Sequence, residues 1–92
     1  MNIPLQRAVI IHGEGWSRGY IANIKNPIAS IVVELIPHSF DVGMYLAVVR
    51  NEYTMTGEHE FSTWGTLWEI SKIIGQHYQM DFIFTFETYE FV

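Results

Sequence analysis

Turn-forming residues divide the first part of the chain into short apolar runs, and this division restricts the folds open to it. The breaks lie at residues 13–15, 26–27, 37–39 and 56–57. The runs between them are rich in Ile, Val and Tyr and predict strands at residues 5–12, 17–25, 28–36 and 42–50. Because the connections are short, we expect neighbouring strands to pair antiparallel. A further short extended piece is predicted at residues 53–56.

Residues 64–78 show a helical period instead. Their apolar members recur every three or four positions: Trp64, Leu67, Trp68, Ile70, Ile73, Ile74 and Tyr78. We expect Ser62 or Thr63 to cap the N-terminus of this helix. Ser71 and Gly75 lie within the apolar face and predict a close approach to a sheet. That packing must offset the roughly 1 kcal/mol of helix propensity that a glycine costs.

The C-terminal residues 80–92 return to a strand pattern, since Phe82, Phe84 and Phe86 alternate with other residues. The predicted element order is therefore β-β-β-β-α-β. We expect one α+β domain over residues 1–92, in which one helix packs on one face of an antiparallel sheet of about five strands.

Several predicted strands carry apolar side chains on both faces, as residues 28–36 and 42–50 do. One helix covers only two or three strands, because it is about 10 Å wide and strands lie about 4.8 Å apart. We therefore expect part of this surface to contact another protein; the alternative is that a curled sheet and loops cover it. The side chains expected to anchor such a contact are Trp16, Arg18, Tyr20, Trp64, Trp68 and Tyr89.

The charge of the chain is −5 and is concentrated in its second half. Residues 47–92 hold seven acidic and two basic side chains, whereas residues 1–46 are balanced. We expect Glu58 and Glu60 to face a basic surface on the partner. Few and scattered cations argue against direct binding of nucleic acid. The alternative is a sheet that stacks single-stranded bases on Phe82, Phe84 and Phe86, although Asp81, Glu87 and Glu90 would repel phosphates.

The pattern of reactive residues predicts no enzyme. The chain has no cysteine, and its histidines are too widely spaced for a zinc site, so we expect no metal and no cofactor. Ser39 lies beside His38 and close to Asp41, but residues so close in sequence after a proline are typical of turn chemistry rather than of a catalytic triad. No apolar run is long enough to cross a membrane, and we expect a cytoplasmic protein.

These features favour a small acidic protein-binding module. We expect an inhibitor or adaptor that occludes a site on a larger protein, including one that handles nucleic acid. In size and composition the chain is similar to small phage-encoded inhibitors of host machinery, such as anti-CRISPR proteins; no motif carries this similarity. The alternative is a homodimer formed through an edge strand or a sheet face.

Overall fold

The computed structural model describes residues 2–12, 14–25, 28–52 and 59–85, and they form an α+β fold. The elements are β1 (Asn2–His12), β2 (Gly15–Lys25), β3 (Ile28–Pro37), β4 (Tyr45–Asn51), β5 (His59–Gly65), α1 (Leu67–Tyr78) and β6 (Asp81–Phe84). The predicted α+β class is confirmed. The sheet has one strand more than expected. This strand is β5, whose last two residues, 64 and 65, were predicted to belong to the helix. The predicted extended piece at residues 53–56 lies outside the described residues.

The six strands form a single sheet in the order β5-β4-β3-β2-β1-β6. Strands β1 to β5 follow one another antiparallel, as their short connections predict. The last pair differs, because β6 runs parallel to β1, with Ile3 opposite Phe82 and Leu5 opposite Phe84. A strand that follows a helix can return in either direction, so the expected antiparallel sheet is confirmed as mostly antiparallel, with this one parallel pair.

Helix α1 bridges the two edges of the sheet. It connects β5 to β6, which are the edge strands, and it packs against both. The sheet curls into a half-barrel, and the helix closes the concave side. This arrangement explains how one helix can complete the core of a six-stranded sheet.

The core lies between the concave face of the sheet and α1. Ile70 and Ile74 of the helix are fully buried there, and Tyr20 packs edge-to-face on Phe84 with ring centroids 4.9 Å apart. The remaining buried apolar residues of this cluster are Leu5, Ala22, Ile24, Ala29, Ile31, Val33, Ala47, Val49 and Phe82. The curled sheet and the helix thus cover one of the two apolar faces of the strands.

The helix begins at Leu67 rather than at residue 64. Thr66 is its N-cap: the Thr66 hydroxyl accepts a hydrogen bond from the Glu69 N–H at 3.2 Å, and Glu69 Oε1 accepts one from the Thr66 N–H at 3.0 Å. The predicted caps Ser62 and Thr63 were wrong, because they pair with Val48 and Ala47 in the sheet. Pairing with β4 thus outweighs the helical period of the residues just before the cap.

Gly75 makes the close approach that its place on the helix predicts, but to the turn after α1 rather than to a strand. A Cβ at this position would lie 2.6 Å from the Met80 carbonyl oxygen. No side chain larger than hydrogen fits there without a shift of the backbone. Gly75 therefore sets how tightly the chain turns from α1 into β6.

Candidate protein-docking surface

Three connections lie at the same end of the half-barrel. Strand β1 runs toward this end and β2 runs back from it, β3 and β4 do the same, and β5 runs toward it before α1 begins. The β1–β2 turn, the β3–β4 loop and the β5–α1 junction are therefore neighbours. All three tryptophans of the chain, Trp16, Trp64 and Trp68, lie in or beside these connections. We call this region the tryptophan end.

Exposed apolar side chains are concentrated at the tryptophan end. Phe40 is 89% exposed, Val42 is fully exposed, and Trp16, Trp64 and Trp68 are each more than half exposed. Among the described residues, eight large apolar side chains are exposed, and seven lie at or toward this end: Val9, Trp16, Ile36, Phe40, Val42, Trp64 and Trp68. The eighth, Ile83, lies on β6. The exposed apolar side chains are thus concentrated at one end of the half-barrel rather than scattered over it.

Part of this surface is a row across three strands. Ile36 of β3 lies directly opposite Leu46 of β4, and Leu46 lies directly opposite Trp64 of β5. Side chains alternate along a strand, so these three point away from the core that their neighbours Leu35, Ala47 and Gly65 face. The row therefore lies on the convex face, away from α1.

The β3–β4 loop is held by hydrogen bonds to a single side chain. His38 Nδ1 accepts a bond from the Phe40 N–H at 3.1 Å and another from the Asp41 N–H at 3.0 Å. Backbone bonds close the loop, from the His38 N–H to the Met44 carbonyl at 2.9 Å and from the Met44 N–H to the Asp41 carbonyl at 3.2 Å. Gly43 has φ 86°, a left-handed conformation that glycine adopts without a steric penalty. The exposed Phe40 and Val42 are therefore presented by a structured loop.

The imidazole of His38 also joins the loop to the sheet. Its ring meets the Trp64 indole edge-to-face with centroids 5.5 Å apart, and it meets the Phe40 ring at 6.2 Å. Contacts of this geometry are favourable between aromatic rings. They make the row on the convex face continuous with the loop.

Each of the three connections carries one carboxylate. These are Glu14 in the β1–β2 turn, Asp41 in the β3–β4 loop and Glu69 in the first turn of α1, all exposed. Hydrogen bonds from the backbone and side chain of Thr66 lower the pKa of Glu69, so Glu69 is ionised at neutral pH. The nearby cations are Arg18, and Lys72, whose ammonium lies 5.4 Å from the centre of the Trp68 ring. Three exposed carboxylates and two cations therefore lie at this end.

A polar network lies farther along the convex face. Arg50 forms an ion pair with Glu34, and the Ser17 hydroxyl donates a hydrogen bond to Glu34 Oε2 at 3.1 Å. These three residues come from β4, β3 and β2. Their mutual bonds satisfy the two opposite charges within the sheet, so this part of the face carries no net charge.

The structure places the predicted contact residues in three groups. Trp16, Arg18, Trp64 and Trp68 lie at the tryptophan end and are exposed. Tyr20 is 7% exposed and packs in the core, so we leave it out of the docking surface. Alternation along β2 puts Tyr20 on the concave face, beneath the part of the sheet that curling covers. Glu58 and Tyr89 lie outside the described residues.

Glu60 lies toward the opposite end of β5, away from the tryptophans. It accepts a hydrogen bond from the Tyr78 hydroxyl, and its Oε2 lies 3.3 Å from His77 Nε2. These bonds serve the contact between β5 and α1, and we do not include Glu60 in the docking surface. Sequence reasoning missed Phe40, Val42 and His38, although their position after Pro37 in a turn-rich segment was a usable signal of an exposed loop.

Other sites receive no support from the described residues. No group of three or more histidine, aspartate or glutamate side chains among them is arranged to hold a metal ion. The described helix is too short to span a bilayer. An open groove of about 440 Å³ lies between α1 and β6, but its lining combines neutral polar side chains with single charges, such as Lys72 and Asp81, that do not converge on one point.

Comparisons with protein-family models, with curated proteins and with solved structures find no match for this chain. The function proposed below therefore rests on the geometry of the tryptophan end.

Proposed function

We propose that this protein is a small acidic protein-binding module that docks through the tryptophan end and occludes a site on a larger protein, as an inhibitor or an adaptor. One observation carries the proposal: seven of the eight exposed large apolar side chains in the described part of the chain lie at or toward this end. Aromatic side chains of this kind supply most of the binding energy in protein interfaces. Large exposed apolar patches on soluble proteins commonly mark such interfaces.

The exposed area is of the size that a specific interface needs. An aromatic side chain that is buried removes about 150–250 Å² from solvent. Trp16, Phe40, Trp64 and Trp68 are on average about two-thirds exposed, so together they offer roughly 500 Å². The exposed aliphatic side chains add to this area. The total approaches the roughly 800 Å² per partner of a standard interface.

The charges around the surface favour a basic partner. Glu14, Asp41 and Glu69, one in each connection, outnumber the cations Arg18 and Lys72 at this end. A partner whose apolar pocket is rimmed by Lys and Arg would complement them, whereas nucleic acid would place phosphates beside carboxylates. We therefore propose a basic protein surface as the target, including one that otherwise holds nucleic acid.

A pair of matched variants tests the proposal. Phe40→Ser combined with Trp68→Ser removes two exposed rings at the tryptophan end. Ile83→Ser removes the one exposed large apolar side chain that, within the described part of the chain, lies elsewhere. The partner is captured from the native host with the wild-type chain and purified, and its affinity for each variant is measured by calorimetry. We expect the double variant to lose at least tenfold in affinity and Ile83→Ser to bind as the wild type does. Equal affinities for all three proteins would contradict the proposal.

Self-association through the same end is the competing use of this surface. Two copies related by a two-fold axis would bring their like-charged carboxylates together, which disfavours the dimer. Light scattering at micromolar concentration separates the two cases. We expect a mass near 10.7 kDa; a stable mass of twice this value that Phe40→Ser with Trp68→Ser abolishes would identify the homodimer instead.

A further inference from the structure

The β3–β4 loop depends on an acceptor that protonation removes. His38 Nδ1 receives the amide hydrogens of both Phe40 and Asp41, at 3.1 Å and 3.0 Å. A ring nitrogen can accept these bonds only when it carries no proton, so the neutral imidazole in the loop has its hydrogen on Nε2. A proton on Nδ1 would point at two N–H groups that themselves donate, and both bonds would be lost.

A second partner for the protonated ring is already in place. Asp41 Oδ2 lies 3.8 Å from His38 Nδ1. A small movement would let a protonated Nδ1 donate to this carboxylate, which would form a charge-assisted hydrogen bond. The loop therefore has two alternative sets of bonds, one for each protonation state of the imidazole.

We infer that His38 is the positioning residue of the docking surface and that it makes docking sensitive to pH. With His38 neutral, its two amide bonds hold Phe40 and Val42 in the presented conformation. With His38 protonated, these bonds are exchanged for a contact with Asp41, and the loop loses the conformation that the partner binds. Among the described residues, the groups that the structure shows against the His38 ring are the Asp41 carboxylate, the Phe40 ring and the Trp64 indole.

The inference rests on the proposed function, because it describes how the same surface is regulated. Its physical part can be tested without the partner. Ordering a loop before binding raises affinity, since less conformational entropy is lost on association. The two amide hydrogen bonds share the single lone pair of the ring nitrogen and each contributes modestly, so their joint loss should change the population of the ordered loop about tenfold.

The first experiment follows the loop by nuclear magnetic resonance between pH 8 and pH 5. The ¹⁵N shifts of the imidazole report its tautomer, and amide hydrogen exchange of Phe40 and Asp41 reports the two bonds. We expect the Nε2–H tautomer at pH 8. We also expect protection of both amides to fall about tenfold as His38 becomes protonated. An Nδ1–H tautomer at pH 8, or amide protection that does not follow the titration of His38, would overturn the inference.

His38→Asn is the matched control, because the Asn side-chain oxygen accepts backbone N–H groups in turns and does not titrate. We expect this variant to keep the loop protected at every pH in the range. His38→Ala, which has no acceptor, should show low protection throughout. If His38→Asn lost protection with pH as the wild type does, another group would be responsible and His38 would not be the switch.

The second experiment measures affinity for the purified partner at pH 7.5 and pH 5.5. We expect the wild type to bind at least fivefold more weakly at pH 5.5 and His38→Asn to show no more than a twofold change. The same pH dependence in both proteins would contradict the regulatory role of His38. Should Phe40→Ser with Trp68→Ser bind normally while the loop still titrates, the docking surface would be wrong and the conformational switch would stand, so the two failures are distinguishable.

Discussion

The Tyr78 hydroxyl donates a hydrogen bond to the Glu60 carboxylate and thereby fastens the end of α1 to the edge strand β5. A bulge makes this contact possible. Val49 lies opposite Phe61 and Arg50 lies opposite His59, so Glu60 is an extra residue between two paired ones. A bulged residue can turn its side chain out of the alternating pattern. Glu60 therefore reaches the helix instead of following the convex face.

Tyr78→Phe should weaken this fastening with little change in packing. The variant removes only the hydroxyl and keeps the ring, whose centroid lies 6.1 Å from that of the Phe82 ring. We expect the free energy of unfolding to fall by about 1 kcal/mol, the usual net value of a hydrogen bond at a partly exposed site. Urea denaturation at pH 7 measures it. Glu60→Gln, which retains an acceptor, should cost less; a larger loss in Glu60→Gln than in Tyr78→Phe would contradict this account.

The same contact predicts how stability changes in alkali. Burial of the hydroxyl, and then its bond to Glu60, raise the pKa of Tyr78 above the ordinary tyrosine value. The folded protein therefore keeps this proton at a pH where the unfolded chain loses it. The stability that comes from Tyr78 is fully present below about pH 10 and is lost as the pH rises beyond it. We expect the stability difference between the wild type and Tyr78→Phe to shrink above pH 10 in a series of urea titrations; a constant difference would contradict the assigned shift.

The capping box of α1 predicts a loss of stability at low pH, opposite to the loss at high pH that Tyr78 predicts. Thr66→Ala removes the acceptor for the Glu69 N–H and should destabilise the protein by about 1 kcal/mol. Hydrogen bonds from Thr66 lower the pKa of Glu69 in the folded state. The stability linked to Glu69 is therefore present above the ordinary glutamate pKa and is lost as the pH falls through the lowered value. Thr66→Ala keeps the backbone N–H that is the largest cause of the lowered Glu69 pKa and loses only the hydroxyl, so we expect thermal denaturation between pH 6 and pH 3 to show a slightly smaller loss of stability in Thr66→Ala than in the wild type.

Gly75→Ala tests the tight turn between α1 and β6. Helix propensity alone predicts a gain of about 1 kcal/mol. The new Cβ would lie 2.6 Å from the Met80 carbonyl oxygen, which belongs to the backbone and cannot rotate away. We expect a net loss of about 1–3 kcal/mol, as for other overpacked sites. Gly15→Ala is the control, because a Cβ there meets nothing within 4 Å; equal stability of both variants in urea would show that the turn opens freely.

Local sequence patterns predicted most elements of this fold. The four strands were recognisable because turn residues bound runs that are rich in Ile, Val and Tyr, and the helix was recognisable because its apolar residues recur every three or four positions. The boundaries of the first four predicted strands lie within about three residues of the observed ones. The excess of acidic residues in the second half and the number of tryptophans and tyrosines could likewise be read directly from the sequence.

The docking surface was only partly predictable, because it depends on the direction of each strand. Trp64 and Trp68 lie at the same end as Trp16 only because β5 is a fifth strand that runs toward this end. The sequence did not predict β5, because its residue Trp64 fits the helical period of the segment that follows. Tyr20 and Trp16 are both aromatic residues of β2, yet one is buried and the other exposed, because the covered part of the sheet extends only as far as α1 and β6 reach. No property of either residue distinguishes them.

The sequence by itself determined β1 to β4, α1 and β6, since these elements follow from local period and turn residues, whereas β5 formed because pairing with β4 outweighed the helical period of its last residues. Only the tertiary structure decided that β6 runs parallel to β1 and that Tyr20 is buried. It also decided that Tyr78 forms a hydrogen bond with Glu60 and that the three tryptophans lie at one end of the half-barrel. Each of these depends on contacts between residues far apart in the chain, and a local pattern carries no information about which distant segment a residue will meet.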